Sequence, residues 1–176
     1  MLFGDKSKFA IEIKVNNIFG DEYVGEGSFV VIINNKHYGD CDKYATTFLC
    51  IIDELKRFYK NTTNTSLSFE SIKKETIANL YYLQNYANDF KSTYDDALLT
   101  KTKSLIEWSP ESAFDDGSHI IHFDDNNTTR VIGFKSCSKN GNFIVEPESI
   151  EEVVIDRNIF IDILHKTCEY LQSFIS

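Results

Sequence analysis

The stretch from Asp42 to Lys60 constrains the fold most, because its apolar residues recur at the spacing of one helical face. These residues are Tyr44, Ala45, Phe48, Ile51, Ile52, Leu55, Phe58 and Tyr59. Charged and polar side chains take the other positions, so the pattern predicts an amphipathic helix that must lie against an apolar surface. Apolar β segments precede this helix and follow it much later. We therefore expect the helix to cover a sheet built from both ends of the chain.

Three strands are predicted before this helix. Residues from Phe9 to Val15 alternate between apolar and polar, as in a half-buried strand, and Phe29 to Ile33 form a continuous apolar strand. Asn34-Asn35 predicts a tight turn into a short strand from Lys36 to Tyr38, because asparagine tolerates positive φ. Gly25-Glu26-Gly27 is similar to a phosphate loop, but it leads into a strand rather than a helix. We interpret it as part of a wide hairpin connection.

After the central helix, the pattern is weaker until residue 118. A second helix is expected to begin at Ser68 or Ser71, and its apolar face would carry Ile72, Leu80, Leu83, Ala87 and Phe90. Residues 91–117 have little periodicity and contain turn signals, so we expect a loop with one helical turn.

The last third of the chain predicts strands followed by a helix. Ser118 to Phe123 and Thr129 to Lys135 give a hairpin, and residues 142–145 and 150–155 give two more strands. Asp156 is expected to cap a final helix. The apolar face of that helix comprises Phe160, Ile163, Leu164, Cys168, Leu171, Phe174 and Ile175.

Together these elements predict an α+β fold, in which an antiparallel or mixed sheet from N- and C-terminal strands is packed by two or three amphipathic helices. A chain of 176 residues with 42% apolar residues suits a single domain, residues 1–176. No segment is typical of a signal peptide or a membrane span, so we expect a cytoplasmic protein without a membrane partner. The four cysteines are far apart and form no C-x-x-C pair, which indicates reduced thiols. They are Cys41, Cys50, Cys137 and Cys168.

The acidity of the chain is concentrated in its second half. Residues 1–88 hold eleven acids and ten bases, a net charge of −1, and residues 89–176 hold sixteen acids and eight bases, a net charge of −8. Within residues 111–156, ten acids stand against three bases. Such a charge argues against a nucleic-acid partner. It leaves two interpretations, simple solubility or a basic protein partner.

No residue pattern predicts catalysis or a bound metal. His119 and His122 are three positions apart in a strand and therefore project to opposite faces, so they cannot bind one ion together. The run Asp124-Asp125-Asn126-Asn127 lacks the alternating acids, glycine and terminal glutamate of a calcium loop. The carboxylates from Glu146 to Glu152 have no placed acid or base partner. We therefore expect no enzyme activity, no metal and no cofactor.

The first third of the chain contains an ordered series of motifs. They are Phe3-Gly4-Asp5-Lys6-Ser7-Lys8-Phe9-Ala10-Ile11-Glu12, then Ile33-Asn34-Asn35-Lys36, Tyr38-Gly39-Asp40 and the amphipathic helix. This order resembles that of a family of bacterial immunity proteins, the family numbered forty-two. Asn34-Asn35 stands where the family has an Asn-Gly turn. Such proteins accompany polymorphic toxins, including those of contact-dependent growth inhibition. The motif residues look structural, so the resemblance transfers no binding site.

The resemblance implies that the chain binds and neutralises the C-terminal domain of one cognate toxin, often a nuclease, and is a monomer when free. The alternatives are a regulatory or small-ligand-binding domain without catalysis and, less favoured, a hydrolase. A nuclease needs a basic cleft, to which acidic residues are complementary. We therefore hypothesise that the toxin-binding residues are among Asp115, Asp116, Asp124, Asp125, Glu146, Glu148, Glu151 and Glu152.

Overall fold

The structure is a computed structural model that describes residues 1–17, 26–40, 46–60, 72–86, 98, 102, 105–108, 111–125, 127–139 and 142–174. These residues form two five-stranded antiparallel sheets and three α-helices. The predicted α+β class is confirmed. The strands of the two chain halves form one sheet each, rather than a single sheet shared by both ends of the chain.

The first sheet comes from the N-terminal third of the chain. Its strands are β1 (Leu2–Asp5), β2 (Phe9–Asn17), β3 (Glu26–Ile33), β4 (Lys36–Tyr38) and β5 (Thr46–Thr47). They lie in the order β1-β2-β3-β4, and β5 pairs with the beginning of β3. Asn34 and Asn35 have φ angles of 49° and 66°, which confirms the predicted turn with positive φ between β3 and β4.

The second sheet comes from the C-terminal half. Its strands are β6 (Ile106–Trp108), β7 (Ser118–Asp125), β8 (Thr128–Lys139), β9 (Asn142–Val145) and β10 (Glu151–Asp156). The order is β10-β8-β7-β6, and β9 pairs with the far end of β8. The long strand β8 therefore holds the sheet together, since it pairs with β7 on one side and with β10 and β9 on the other.

Three helices pack on these sheets: α1 (Phe48–Lys60), α2 (Lys74–Tyr86) and α3 (Arg157–Gln172). Asp156 caps α3, as predicted, because its carboxylate accepts hydrogen bonds from the backbone N–H groups of Asn158 and Ile159. Helix α1 begins at Phe48, not at Asp42. The β-branched pair Thr46–Thr47 is extended and pairs with Glu26 and Gly27, which moves the start of the helix. Residues 41–45, with the predicted cap Asp42, lie outside the described residues.

Besides β5, two short strands were not predicted. Strand β1 covers part of the motif at the N-terminus, and β6 lies in the segment where we expected a loop with one helical turn. The alternating pattern in each is too short to be distinguished from a loop, and pairing with β2 and β7 makes them strands. Ala87, Phe90 and Ile175, which we placed on helix faces, lie outside the described residues.

The main core lies between one face of each sheet and the helices α1 and α3. Phe48, Ile51, Ile52, Leu55 and Phe58 of α1 are buried there, so the predicted buried face of this helix is confirmed over its described part. The apolar face of α3 is buried in the same core from Phe160 to Leu171. A second cluster, the outer core, lies on the opposite face of the second sheet, where α2 packs with Ile77, Tyr81 and Tyr82.

The turn after β3 and the strand β4 connect the two sheets. The Tyr38 ring lies over Gly133 of β8, where an added Cβ would come within 2.7 Å of the ring, so Gly133 provides the space for this contact. The Tyr38 hydroxyl donates to the carbonyl of Ser149 at 2.6 Å. Asn34 donates to the carboxylate of Glu151 and to the carbonyl of Glu152. The motif residues of the first third therefore stabilise the junction of the two sheets.

Candidate functional site

The eight predicted acidic residues fall at three places on the second sheet. Asp115, Asp116, Glu146 and Glu148 lie at the end where β7 begins and β9 ends, Glu151 and Glu152 begin β10, and Asp124 and Asp125 end β7. Since β7 has eight residues, its two ends are separated by roughly 25 Å at about 3.4 Å per residue. The structure thus brings the first two groups near each other and places the third at the opposite end.

At the first end, Asp116 is held by a lysine across the strands. Lys135 Nζ lies 2.6 Å from Asp116 Oδ2, and the Ser118 N–H also donates to this carboxylate. Burial alone would raise the pKa of Asp116, but the hydrogen bonds from Lys135 and Ser118 outweigh burial and keep the pKa below its usual value. Asp116 therefore stabilises the pairing of β7 with β8 in addition to contributing a surface charge.

The two acids of β10 are also paired, and their partners come from distant parts of the chain. Glu151 contacts Lys36 at 2.8 Å and Lys74 at 3.7 Å. Glu152 accepts two hydrogen bonds from the Arg130 guanidinium, at 2.5 and 2.8 Å. These pairs connect the second sheet to β4 and to the beginning of α2. Much of the charge of Glu151 and Glu152 is therefore neutralised inside the molecule.

At the other end of β7, Asp124 bridges to the last helix. Its carboxylate contacts Arg157 Nε at 3.0 Å and accepts a hydrogen bond from the Thr129 hydroxyl at 2.7 Å. The backbone of Asp125 pairs with Thr128, but the side chain of Asp125 lies outside the described residues. Asp124 thus stabilises the junction of β7, β8 and α3.

Asp115 and Glu148 are the most exposed acids of the set among the side chains that the structure describes. Both side chains are exposed, and neither carboxylate forms an ion pair within the described part of the chain. Glu146 is half-buried beside them, and its presence raises the pKa of the nearby Cys137 thiol. These three residues form an acidic edge (Asp115, Glu146 and Glu148). Sequence alone did not separate this edge from the paired acids, because the pairing partners are remote in the chain.

The two histidines of β7 face opposite sides of the sheet, as their spacing predicted. His122 lies in the main core and accepts a hydrogen bond at Nδ1 from Trp108 Nε1, at 2.7 Å. Burial lowers the pKa of His122 to about 4; Asp124 opposes this shift and Arg57 adds to it. His122 is therefore neutral near pH 7 and serves as a hydrogen-bonding core residue.

His119 lies on the other face, in a polar network beneath α2. Glu107 accepts hydrogen bonds from the hydroxyls of Tyr81 and Tyr86, at 2.8 and 2.7 Å, and lies 3.3 Å from His119 Nδ1. His119 Nε2 lies 3.0 Å from the Ser136 hydroxyl. The connectivity from serine to histidine to carboxylate is that of a hydrolase triad, which sequence reasoning did not detect because the three residues lie on three strands.

The surroundings of this network favour packing over catalysis. The His119 ring stacks on Phe134 with centroids 4.9 Å apart, and Tyr86 lies against it edge-on. The backbone N–H of Ser136 donates to the Gly117 carbonyl, so it is not available to stabilise an oxyanion beside the serine. We interpret the network as the polar contact that attaches α2 to the second sheet.

No group of three metal-binding side chains occurs among the described residues. His119 and His122 have separate partners on separate faces, as above. Cys50, Cys137 and Cys168 are free thiols, while Cys41 lies outside the described residues. No helix in the described ranges is long and apolar enough to cross a membrane.

A groove lies between β1, β10 and the beginning of α3. It has a volume of about 470 Å³ and is lined by residues 3–5, 8–9 and 153–156 together with Ile159, Asp162, Ile163 and Lys166. Val154 and Ile159 are 58% and 55% exposed there. Sequence reasoning did not find this groove. Ile159 breaks the polar face of α3, and an apolar residue in such a position was the available signal.

Comparison with known proteins agrees with this architecture. No curated protein matches the chain. A crystal structure of CdiI from Burkholderia dolosa AUO158 is similar to it with a TM-score of 0.65 and 16% sequence identity, covering 97% of this chain and 99% of that one. At this identity the likeness concerns the fold. The sequence model described as Immunity protein 42 matches residues 1–170. Since that match spans nearly the whole chain, the protein belongs to the immunity protein 42 family.

Proposed function

We propose that this protein protects the cell that makes it by binding one cognate toxin domain and blocking its activity. The observation that carries the proposal is the family match over residues 1–170. Protein-protein occlusion needs no catalytic group, and the Glu107–His119–Ser136 network is occupied by packing contacts. The protein acts in this proposal as a monomeric, single cytoplasmic domain without a metal, cofactor, nucleic acid or membrane.

The proposed target is the C-terminal domain of a toxin, and a nuclease fits the charge of the chain best. Residues 89–176 hold twice as many acids as bases, sixteen against eight. A nuclease binds the phosphate backbone through a basic cleft, which an acidic surface complements. Among the eight acids of the hypothesis, Asp115 and Glu148 are exposed and take part in no ion pair within the described ranges.

Other members of the set serve this function indirectly. Asp116, Asp124, Glu151 and Glu152 are held by Lys135, Arg157, Lys36 and Arg130, so they fix the shape of the surface that carries the exposed acids. Replacing one of them would leave its cation unpaired and would confuse a binding effect with a folding effect. The acidic edge is therefore the better place to test the proposal.

The test begins with the toxin encoded beside this gene. Its C-terminal domain is expressed in cells with and without the protein, and survival and nuclease activity are measured. Surface plasmon resonance then measures association at low and high salt, because steering between opposite charges gives a fast on-rate that falls with ionic strength. We expect protection of the cells and a salt-dependent on-rate.

The double variant Asp115→Lys/Glu148→Lys should bind more slowly and protect less well. A matched control, Asp53→Lys/Glu169→Lys, changes the net charge equally at exposed positions of α1 and α3. If both double variants slow association equally, net charge rather than the acidic edge is responsible. If wild-type protein fails to protect cells from the adjacent toxin, the neutralisation proposal itself is wrong.

A further inference from the structure

The strand β10 lies at the edge of the second sheet, and some main-chain groups on its outer side form no hydrogen bond with the described residues. The N–H of Arg157 donates to the Asn127 carbonyl, so the antiparallel alternation directs residues 153 and 155 toward β8 and Val154 away from it. The outward carbonyl of Glu152 is already taken by Asn34. The N–H and C=O of Val154 and the N–H of Asp156 therefore point into the groove between β10, β1 and α3.

This half of β10 lacks the features that normally protect a sheet edge. Edge strands are commonly shortened or carry lysine or proline. Strand β6 has three residues, and β4 has three and begins with Lys36. In β10 the sequence is Val153, Val154 and Ile155, and Val154 is 58% exposed. On the other side of the groove, Gly4 has a φ angle of 99°, so β1 offers no regular edge. The template for an added strand is thus β10.

The groove beside this edge has room for side chains. Its volume is about 470 Å³, and Ile159, which is 55% exposed, provides an apolar wall next to Val154. An added strand places alternate side chains on each side of the sheet, so one of its apolar side chains would enter the groove. The edge offers hydrogen bonds, and the groove offers apolar contact for the same segment.

The charges around the groove identify the kind of partner. Asp162 and Lys166 form an ion pair at 2.6 Å and neutralise each other. The remaining charged residues that line the groove are two acids, Asp5 and Asp156, and one base, Lys8. If two copies of this chain paired antiparallel about Val154, Asp156 of one would lie opposite Glu152 of the other, whose carboxylate is already bound to Arg130, so neither acid would gain a basic partner. Like charges opposite each other destabilise a strand pair. The edge is therefore complementary to an apolar strand that carries a basic residue, and not to itself.

We propose that an extended segment of the cognate toxin domain adds to the outer edge of β10, with aliphatic side chains in the groove and a lysine or arginine beside Asp156. This inference rests on the proposed neutralisation of a toxin and deepens it. The strand would form hydrogen bonds with the N–H and C=O of Val154 and with the N–H of Asp156. The acidic edge would steer the approach, and β10 would supply the bound contact.

Hydrogen exchange of the wild-type protein with and without the toxin domain tests this directly. The Val154 amide should exchange fast in the free protein and become protected in the complex, whereas the amides of residues 153 and 155 are protected in both. Protection of Val154 in the free protein at high concentration, together with a dimer in sedimentation, would assign the edge to a second copy and overturn the proposal.

A pair of variants separates hydrogen bonding from side-chain contact. Val154→Pro removes the outward N–H without removing a bond to β8, because this N–H does not pair within the sheet. Val154→Thr keeps the N–H and the branched shape. We expect Val154→Pro to weaken binding at least about tenfold and Val154→Thr to change it by less than about threefold.

The outcomes distinguish this inference from the function on which it rests. If wild-type protein protects cells while the Val154 amide stays fast in the complex, the strand-addition proposal is wrong and neutralisation stands. If the protein does not bind the toxin domain, neutralisation itself fails. Circular dichroism melts of both variants establish whether they fold. If Val154→Pro does not fold, the hydrogen-exchange result on the wild-type protein decides the question.

Discussion

The two faces of the second sheet each hold one histidine of β7, and the two histidines are bound in opposite ways. His122 is enclosed by aromatic rings in the main core, and its hydrogen bond comes from the indole of Trp108. His119 lies beneath α2 beside the carboxylate of Glu107 and the hydroxyl of Ser136. The His122 face is lined mainly by aromatic and aliphatic side chains, and the His119 face contains a polar network.

This difference shows that the role of a histidine depends on what packs against its strand face. On the main-core face, α1, α3 and the first sheet supply apolar side chains, so a neutral imidazole is stable there. On the outer face, α2 and β6 supply tyrosines and a glutamate, so the network stays hydrogen-bonded. Four changes test whether the two faces differ as described.

The largest effect is expected for Trp108→Ala on the main-core face. Trp108 is 1% exposed and contacts the rings of Phe9, Phe29 and Phe58. Its removal leaves a cavity and an unpaired His122, which should lower the free energy of unfolding by about 3–5 kcal/mol. Denaturant melts measure the loss. Tyr86→Ala on the outer face is the comparison, since Tyr86 is 46% exposed; equal losses would contradict the difference in burial.

The second effect is a pH dependence that belongs to His122. The pKa of His122 falls from 6.5 to about 4 in the folded protein through burial. The unfolded chain therefore binds more protons between these values, so stability should fall by roughly 3 kcal/mol as the pH drops from about 6.5 to 4.

The free energy of unfolding of wild type and of His122→Gln, measured across this pH range, checks the assignment. The His122→Gln variant should be less stable than wild type at neutral pH. Its free energy of unfolding should lack the fall between about pH 6.5 and 4 that His122 causes. An unchanged slope in His122→Gln would assign the pH dependence to another group.

A smaller effect is expected for Glu107→Gln on the outer face. Burial alone would raise the pKa of Glu107, but hydrogen bonds from His119, Tyr86 and Tyr81 lower it below 4.5. A lowered folded pKa stabilises the protein above the unfolded pKa, and this contribution is lost as the pH falls through the folded pKa. The variant should lose about 1–3 kcal/mol near neutral pH. The gap to wild type should shrink in melts at low pH, and a gap that stays constant would mean that ionised Glu107 is not the stabilising form.

The smallest effect is expected for Ser136→Ala, which removes the last member of the same network. Ser136 is half-buried, so the loss should be under about 1 kcal/mol, and protection from the toxin should be unchanged. A fluorophosphonate reagent, which forms a covalent bond with activated serines, should not label the wild-type protein. Labelling that disappears in Ser136→Ala would show that the network is a catalytic triad and not a packing contact.

Local features of the sequence predicted much of the fold. The apolar period of α1 identified Ile52 and Leu55, which are 0% and 1% exposed. The Asn34-Asn35 turn, the hairpin of β7 and β8 and the cap at Asp156 were also predicted, because each depends on residues close in the chain. The start of α1 was wrong, since the pairing of Thr46–Thr47 with β3 is a contact between distant residues.

The candidate site was less accessible to sequence reasoning. The eight acids appeared equivalent in the sequence. In the structure, however, Lys36 holds Glu151 and Arg130 holds Glu152. The residues next to an acid in the chain therefore do not show whether its carboxylate is solvated or paired. The groove beside β10 combines residues 3–9 with residues 153–166, and no window of sequence contains both.

The sequence by itself determined most of the strands, turns and helices, which faces are apolar, and, through the order of its first sixty residues, the family. These properties follow from the period of the backbone and from turn chemistry, which act over a few residues. Tertiary structure alone decided that the strands divide into two sheets, which acids are paired, how each histidine is bound and which edge of β10 stays open. Each of these depends on contacts such as that of Asn34 with Glu151, across 117 positions of the chain, where side-chain partners are set by packing and not by local spacing.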